Sequence, residues 1–225
     1  MRAVIFDLDG TLLDRDASVQ AFISYQYDRL IEWVGHVPKE QYVSLFLKLD
    51  SRGYVWKDLV YKQMVEDLDI SLPWEQLLDD YVEKFRESCI PFPNLIQMLQ
   101  SLRNNQLVLG MITNGKRTFQ MGSLQALGIE SYFEVILISE CEGIKKPDAE
   151  IFMRAMRRLG AVPEECAYVG DHPVNDVEAA RNAGMIGIWK RDPHWKTAEA
   201  DYVIEDLMEL VHISEVEIGK KTMRK

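Results

Sequence analysis

Apolar and polar positions follow two different rhythms along this chain, and the change of rhythm divides it. Val4, Ile5 and Phe6 form a short run that is mostly β-branched or aromatic, the signature of a buried strand, and Asp7 follows directly. From Val19 to Phe85 the period is helical. Val19, Phe22, Ile23, Leu30, Ile31 and Val34 share one stripe of period 3.6, stopped by Gly35 and Pro38. Tyr42 to Leu49, Trp56 to Leu68 and Trp74 to Phe85 predict three further amphipathic helices, the last with Pro73 as its first residue. Four such helices with short connections predict a small antiparallel bundle, closed by Pro91-Phe92-Pro93.

Beyond this block helix and strand alternate. Helices are expected over 95–102, 116–127, 147–159, 174–183 and 207–211, and strands over 107–112, 135–138, 167–169, 186–189 and 202–204. Gly128, Gly160 and Gly184 stand where three of the helices should stop. This alternation specifies an α/β fold, a doubly wound, Rossmann-like, mostly parallel sheet. The helical block separates the first strand from that sheet and begins and ends beside the same sheet edge, so it reads as an insertion. The expected organisation is a core of residues 1–14 and 91–213, an inserted helical-bundle cap domain of residues 15–90 over the strand ends, and a polar, basic tail of residues 214–225.

Composition adds mainly exclusions. The 225 residues are 47% hydrophobic, enough for a core of this kind, and the formal net charge of −10 argues against a nucleic-acid surface. Cys89, Cys141 and Cys166 are few, odd in number and unpatterned, which suggests reduced thiols and a cytoplasmic protein. The N-terminus is not that of a signal peptide, and no apolar run approaches the ~20 residues of a membrane span, so no membrane partner is expected. A monomer or a homodimer is equally compatible with the chain.

The chemistry gathers after the strands. In doubly wound sheets ligands bind outside the carboxyl ends of the strands. Asp7 and Asp9 follow the first strand, Thr113-Asn114-Gly115 the second, Lys145-Lys146-Pro147-Asp148 lies beyond the third, and Gly170-Asp171 to Asp176 follows the fourth. Isolated carboxylates are costly to bury, so these aspartates call for a cation. Mg²⁺, a hard ion, takes one or two carboxylates plus substrate oxygens, and Asp7 and Asp171 would supply them. A Thr hydroxyl, a helix N-terminus and a Lys ammonium suit a phosphate group. Asp7 could then attack phosphorus to give an aspartyl-phosphate, while Asp9 protonates the leaving oxygen and later deprotonates a water.

Taken together and in order, Asp7-Leu8-Asp9-Gly10-Thr11, Thr113-Asn114-Gly115, Lys146-Pro147-Asp148 and Gly170-Asp171 with Asp176 resemble the four motifs of the haloacid dehalogenase-like (HAD) hydrolases. The helical insertion resembles that family's type 1 cap. The resemblance implies that Asp7 is nucleophile and Mg²⁺ ligand, and that Asp9 is acid/base and offers its main-chain carbonyl to the metal. It implies that Thr113 and Asn114 bind the phosphoryl group and that Lys146 bridges phosphate and nucleophile. Asp171 becomes a direct metal ligand, and Asp176 acts through water or an outer hydrogen bond. The second aspartate, Asp9, distinguishes a phosphatase from the family's dehalogenases and phosphonate-cleaving members. The expected enzyme is therefore a Mg²⁺-dependent phosphatase of a small phosphorylated metabolite. A sugar phosphomutase and a non-catalytic binding protein on the same scaffold are the alternatives.

Weaker signals remain. Gly110 to Lys116 nearly matches a P-loop, but Arg117 replaces the required Ser or Thr and Gly110 falls within the expected strand. Arg52 and Tyr54, in the glycine turn of the cap, are candidates for choosing the substrate, with Trp56 either facing the site or packed inward. Lys145 reads as a solvated lysine, His172 as a loop side chain and Asp192 to Trp195 as an exposed turn.

Overall fold

The computed structural model describes residues 1–222. The chain resolves into two compact units, one of Met1–Asp14 with Pro91–Lys225 and the other of Arg15–Ile90.

The first unit is built on a six-stranded parallel sheet in the order β3-β2-β1-β4-β5-β6. Its strands are β1 (Ala3–Phe6), β2 (Val108–Thr113), β3 (Val135–Ile138), β4 (Cys166–Gly170), β5 (Ile186–Lys190) and β6 (Tyr202–Ile204). The first strand of the sequence lies at the centre: Ile5 is in register with Gly110 of β2 on one side and with Tyr168 of β4 on the other. All four β1 residues are buried, which explains a strand that is apolar throughout rather than alternating. Because every pairing is parallel, all strands end on one rim, and the order reverses at β1, where a doubly wound sheet opens a crevice.

The helices of this unit are α6 (Leu95–Asn104), α7 (Arg117–Ala126), α8 (Ser139–Glu142), α9 (Ala149–Leu159), α10 (Ala179–Asn182) and α11 (Glu209–Thr222). Asp148 caps α9 by accepting from the Glu150 N–H at 2.9 Å, and Gly160 ends it with a left-handed φ of 62°. Ile151, Phe152, Ala155 and Leu159 of α9 pack with Ile5, Ile112, Leu137 and Tyr168 from the sheet. Among the described residues, no helix is long and apolar enough to cross a membrane.

The second unit contains α1 (Arg15–Arg29), α2 (Ile31–Val34), α3 (Lys39–Asp50), α4 (Lys57–Asp67) and α5 (Trp74–Lys84). Its apolar core holds Phe22, Phe46, Tyr61 and Tyr81 around one buried amide. Gln26 donates to Leu77 O at 2.9 Å, and its Oε1 accepts from Tyr42 and Tyr61 at 3.0 and 2.9 Å, so the amide is satisfied without water. Where the chain leaves and re-enters the first unit, Leu13 bridges Pro91, and the Phe92 N–H donates to Leu12 O at 3.0 Å.

Several local expectations change. The stretch read as a tail from residue 214 continues α11 to Thr222, with Ser214 fully buried and Ile213, Val216 and Ile218 interleaved with its charges. The rest of that expected tail, 223–225, lies outside the described residues. Pro73 sits just before α5 in an extended conformation (ψ 138°) rather than inside its first turn. The helix expected from residue 174 opens instead with a wider turn over Pro173–Glu178, in which the Val177 N–H reaches back to His172 O at 3.3 Å, and α-helical geometry begins only at Ala179. The short helix α8 has too few residues to show a period.

Gly170 shows how closely the chain approaches itself at that wide turn. A Cβ at this position would collide with the side chain of Asp176. Gly170→Ala should therefore cost roughly 1–3 kcal/mol, as overpacking does, seen as a lowered midpoint in thermal unfolding.

Candidate active site

Four loops deliver the chemistry to the rim of the first unit. After β1, the Asp7 N–H still donates to Val169 O at 2.9 Å, so the first aspartate is held by sheet geometry. The chain then folds back tightly: Leu8 O accepts from the N–H groups of Thr11, Leu12 and Leu13. Gly10 makes this turn with φ 82°, and a Cβ there would come within 2.6 Å of Asp171 Oδ2. The loops after β1 and β4 thus pack against each other at a point only glycine fits.

At the centre is a buried ammonium. Lys146 Nζ donates to Asp7 Oδ1 at 2.6 Å, to Asp176 Oδ1 at 2.6 Å and to Tyr168 OH at 2.9 Å, using all three of its protons. Burial opposes its charge, but the two carboxylates outweigh that and hold the ammonium well above its ordinary range. The loop carrying it is fixed from the other side. Asn114 Nδ2 donates to Lys146 O, and the Lys146 N–H donates to Asn114 Oδ1, both at 3.0 Å. The amide of Asn114, expected to bind phosphate, grips the main chain of Lys146 with one Nδ2 proton and Oδ1. Lys145 is exposed, in keeping with a solvated lysine.

The carboxylates differ in what satisfies them. Asp176 Oδ1 faces Lys146, and its Oδ2 accepts from the His172 N–H at 3.0 Å, so both oxygens have protein donors. Asp171 accepts no hydrogen bond from the described residues through its side chain. Its main-chain carbonyl accepts from Trp189 Nε1 at 2.8 Å, which ties this loop to β5. Oxygens of Asp7, Asp171 and Asp176 lie within 4.8 Å of one another. Burial, opposed by Lys146 and reinforced by Asp176 and Asp9, pushes the Asp7 carboxyl up to about 7. Burial and the neighbouring Asp176 and Asp7 push Asp171 well above the usual carboxylate range. An all-oxygen donor set with one lysine for three carboxylates fits a hard divalent cation, and Asp7 and Asp171 are the two not already saturated by protein donors.

Asp9 and Thr113 meet through a residue the sequence pattern had assigned to a helix without function. Gln120, in the first turn of α7, donates from Nε2 to Asp9 Oδ2 at 2.8 Å and to Thr113 Oγ1 at 2.5 Å. Tyr168 is a second such residue. Inside β4 it reads as core, yet its hydroxyl accepts from Lys146 and donates to Ile112 O at 3.1 Å. The signal available for Gln120 was a polar residue on the buried stripe of its helix, beside Leu124.

Two further differences concern neighbouring loops. His172, read as a loop side chain, caps the wide turn. Its Nδ1 accepts from the N–H groups of Val174 and Asn175, both at 3.1 Å, and its ring lies 4.7 Å from that of Trp195. Asp192, expected in an exposed turn, is buried and accepts from the His194 N–H at 2.7 Å. Arg52 and Tyr54 belong to the other unit. There Ser51, Arg52 and Gly53 are consecutive left-handed residues, Arg52 pairs with Asp16 at 3.0 Å, and Tyr54 and Trp56 are exposed, so Trp56 does not pack inward.

A parallel sheet that reverses its order at β1, with carboxylates and a buried lysine gathered at its carboxyl rim, defines an α/β enzyme site built for anionic chemistry. The model of the haloacid dehalogenase-like hydrolases matches residues 4–189, and the chain belongs to that family. It is 42% identical over 98 residues to a glyceraldehyde 3-phosphate phosphatase of Methanopyrus kandleri, a match that spans 44% of this chain and 42% of that protein. It is 30% identical over 205 residues to a phosphoglycolate phosphatase of Salmonella typhimurium, covering 84% of this chain and 80% of the relative. The crystal structure of a HAD phosphatase from Thermococcus onnurineus superposes with a TM-score of 0.68 at 30% identity, covering 95% of this chain and 97% of that one.

Removing one member of a buried charge network leaves the others uncompensated. Lys146→Met should destabilise the metal-free protein by about 3–5 kcal/mol. The loss should be larger at pH 8 than at pH 5, where protonated carboxyls need no counter-charge, as denaturant unfolding at the two pH values would show.

Proposed function

We propose that this enzyme is a Mg²⁺-dependent phosphatase that hydrolyses the phosphomonoester of a small metabolite through an aspartyl-phosphate on Asp7. The observation that carries the reading is the Lys146 ammonium buried between Asp7 and Asp176, with Asp171 left unsatisfied beside them. That arrangement aligns the Asp7 carboxyl and sets the Lys146 charge against the burial that raises its pKa, in a site where phosphoryl oxygens would also meet positive charge.

The roles follow from the groups present. A carboxylate oxygen of Asp7 forms a bond to phosphorus as the bond to the leaving oxygen breaks. Asp9 gives its proton to that oxygen, so the alcohol departs neutral. Asp9, now ionised, takes a proton from water, whose oxygen attacks the phosphorus of the acyl phosphate. Inorganic phosphate is released and Asp7 is restored. The Thr113 hydroxyl holds a phosphoryl oxygen, and Lys146 meets the phosphoryl group by exchanging one of its three present partners for a phosphoryl oxygen. Asp7 and Asp171 would hold Mg²⁺, which when bound neutralises phosphoryl charge, and Asp176 supports the ensemble through Lys146. We assign the choice of ester to Arg52 and Tyr54 of the helical unit. Truncating either should raise KM for the preferred metabolite more than it changes turnover of an aryl phosphate.

The decisive assay is phosphate release from p-nitrophenyl phosphate, phosphoglycolate, glyceraldehyde 3-phosphate, a hexose phosphate and a nucleoside monophosphate, with Mg²⁺ and with chelator. Release by the wild type should require Mg²⁺. Asp7→Asn should abolish it, and Asp9→Asn should slow it by roughly 10²–10⁴. Mg²⁺-dependent turnover retained by Asp7→Asn would overturn the nucleophile assignment. Isomerisation of sugar phosphates without phosphate release would replace the hydrolase by a mutase.

The same carboxylates set a pH dependence of stability. A carboxyl whose pKa is higher in the folded than in the unfolded protein binds more protons when folded, so it costs stability as pH rises. For Asp7, raised to about 7, the metal-free protein should lose stability between pH 4 and 7. Added Mg²⁺ should raise the unfolding midpoint strongly at pH 8 and little at pH 5, in thermal scans with and without chelator.

A further inference from the structure

Gln120 is nearly fully buried and spends both protons of one nitrogen on Asp9 Oδ2 and Thr113 Oγ1. The orientation of this amide is fixed by its partners. Turned over while Asp9 is ionised, the state in which it takes a proton from water, its carbonyl oxygen would face the Asp9 carboxylate, acceptor against acceptor. Its acyl arm is also confined: a Cβ at Gly115 would come within 3.0 Å of Gln120 Cγ and Cδ. One amide thus links the side chain of Asp9, on the loop after β1, to that of Thr113, at the end of β2, and delivers a defined hydrogen to each.

Two consequences follow for the atoms that react. An Asp9 carboxyl that accepts an N–H at Oδ2 carries its own proton on Oδ1, so the proton passed to the leaving oxygen comes from one definite atom. A Thr113 hydroxyl that accepts at Oγ1 from Gln120 has its own hydrogen available to donate, which is the role a phosphoryl oxygen requires. Resting on the hydrolase reading above, we propose that Gln120 is a positioning residue for the acid/base step, presetting which Asp9 oxygen holds the proton and where the Thr113 hydroxyl points.

This assigns Gln120 an effect that depends on the leaving group. As the P–O bond breaks, its electron pair goes to the departing oxygen, and the Asp9 proton matters most when that oxygen is basic. The test compares kcat/KM for phenyl phosphate, whose phenoxide is the more basic leaving group, with that for p-nitrophenyl phosphate, a nearly isosteric ester. Wild type, Gln120→Leu, the isosteric Gln120→Glu and Asp9→Asn are measured, each checked for cooperative unfolding. Both Gln120 variants should lose activity on phenyl phosphate more than on p-nitrophenyl phosphate, changing the ratio by about tenfold, in the direction of Asp9→Asn and within the 10²–10⁴ available to general acid catalysis. In the Asp9→Asn background, Gln120→Leu should leave the ratio unchanged, because the proton it positions is gone. Equal losses on both esters, or an unchanged ratio in the folded single variants, would overturn the proposal and reduce Gln120 to packing. Absence of turnover by the wild type on either ester, or full activity of Asp9→Asn, would instead refute the hydrolase reading on which it rests.

Discussion

One ammonium holds this site together. Lys146 reaches its position from a loop beyond β3, and its three protons go to Asp7, Asp176 and Tyr168, groups supplied by the loop after β1, the turn after β4 and β4 itself. Water would solvate these charges better than the protein interior does, so the network persists only because every one of its members is present and paired. The surroundings serve that placement. Asn114 grips the main chain of the lysine from both sides, Trp189 anchors the Asp171 loop, and His172 closes the turn that aims Asp176. The charge count remains uneven, and the excess of carboxylate over lysine makes the site receptive to a cation.

The parallel sheet explains why residues so far apart in the chain converge. A strand order that reverses at β1 puts the first strand between β2 and β4, and the loops leaving all three share one rim. Close approach does the rest. Gly10 lets the turn after β1 press against Asp171, and Gly170 lets β4 run directly beneath Asp176. The two crossings between the units sit side by side, Leu13 bridged to Pro91, so the helical insertion leaves the sheet register undisturbed.

Much of this was legible from the residues alone, and the exceptions have physical reasons. Asp7, Asp9, Thr113 and Asp171 stand out because charged or hydroxyl groups at the ends of apolar strands are costly unless they do something, and Lys146 stands out with the Pro147-Asp148 that follows it. Tyr168 did not stand out, since an aromatic in a buried strand satisfies the pattern of a core, and only its hydroxyl, invisible to periodicity, reaches the lysine. Gln120 looked like one polar residue in a helix until Asp9 and Thr113 were placed beside it. The width of the turn over Pro173–Glu178 escaped because one wide turn shifts the apolar spacing too little to register. The end of α11 is hidden by its many charges, which mask the interleaved Ile213, Val216 and Ile218.

The span between partners carries a consequence for how the molecule comes into being. Asp7 and Lys146 are 139 residues apart, and β1 is the first strand to be made yet the one whose both neighbours come later. On a ribosome, β1 must wait unpaired through the entire helical insertion before β2 emerges, and its second edge stays open until β4 follows. The charge cluster therefore cannot assemble piecemeal: neither the aspartate nor the lysine has a reason to enter the interior until the other is there. Competence arrives late and all at once, and the sensitive period of synthesis is the long interval in which an apolar strand has been made and its cover has not.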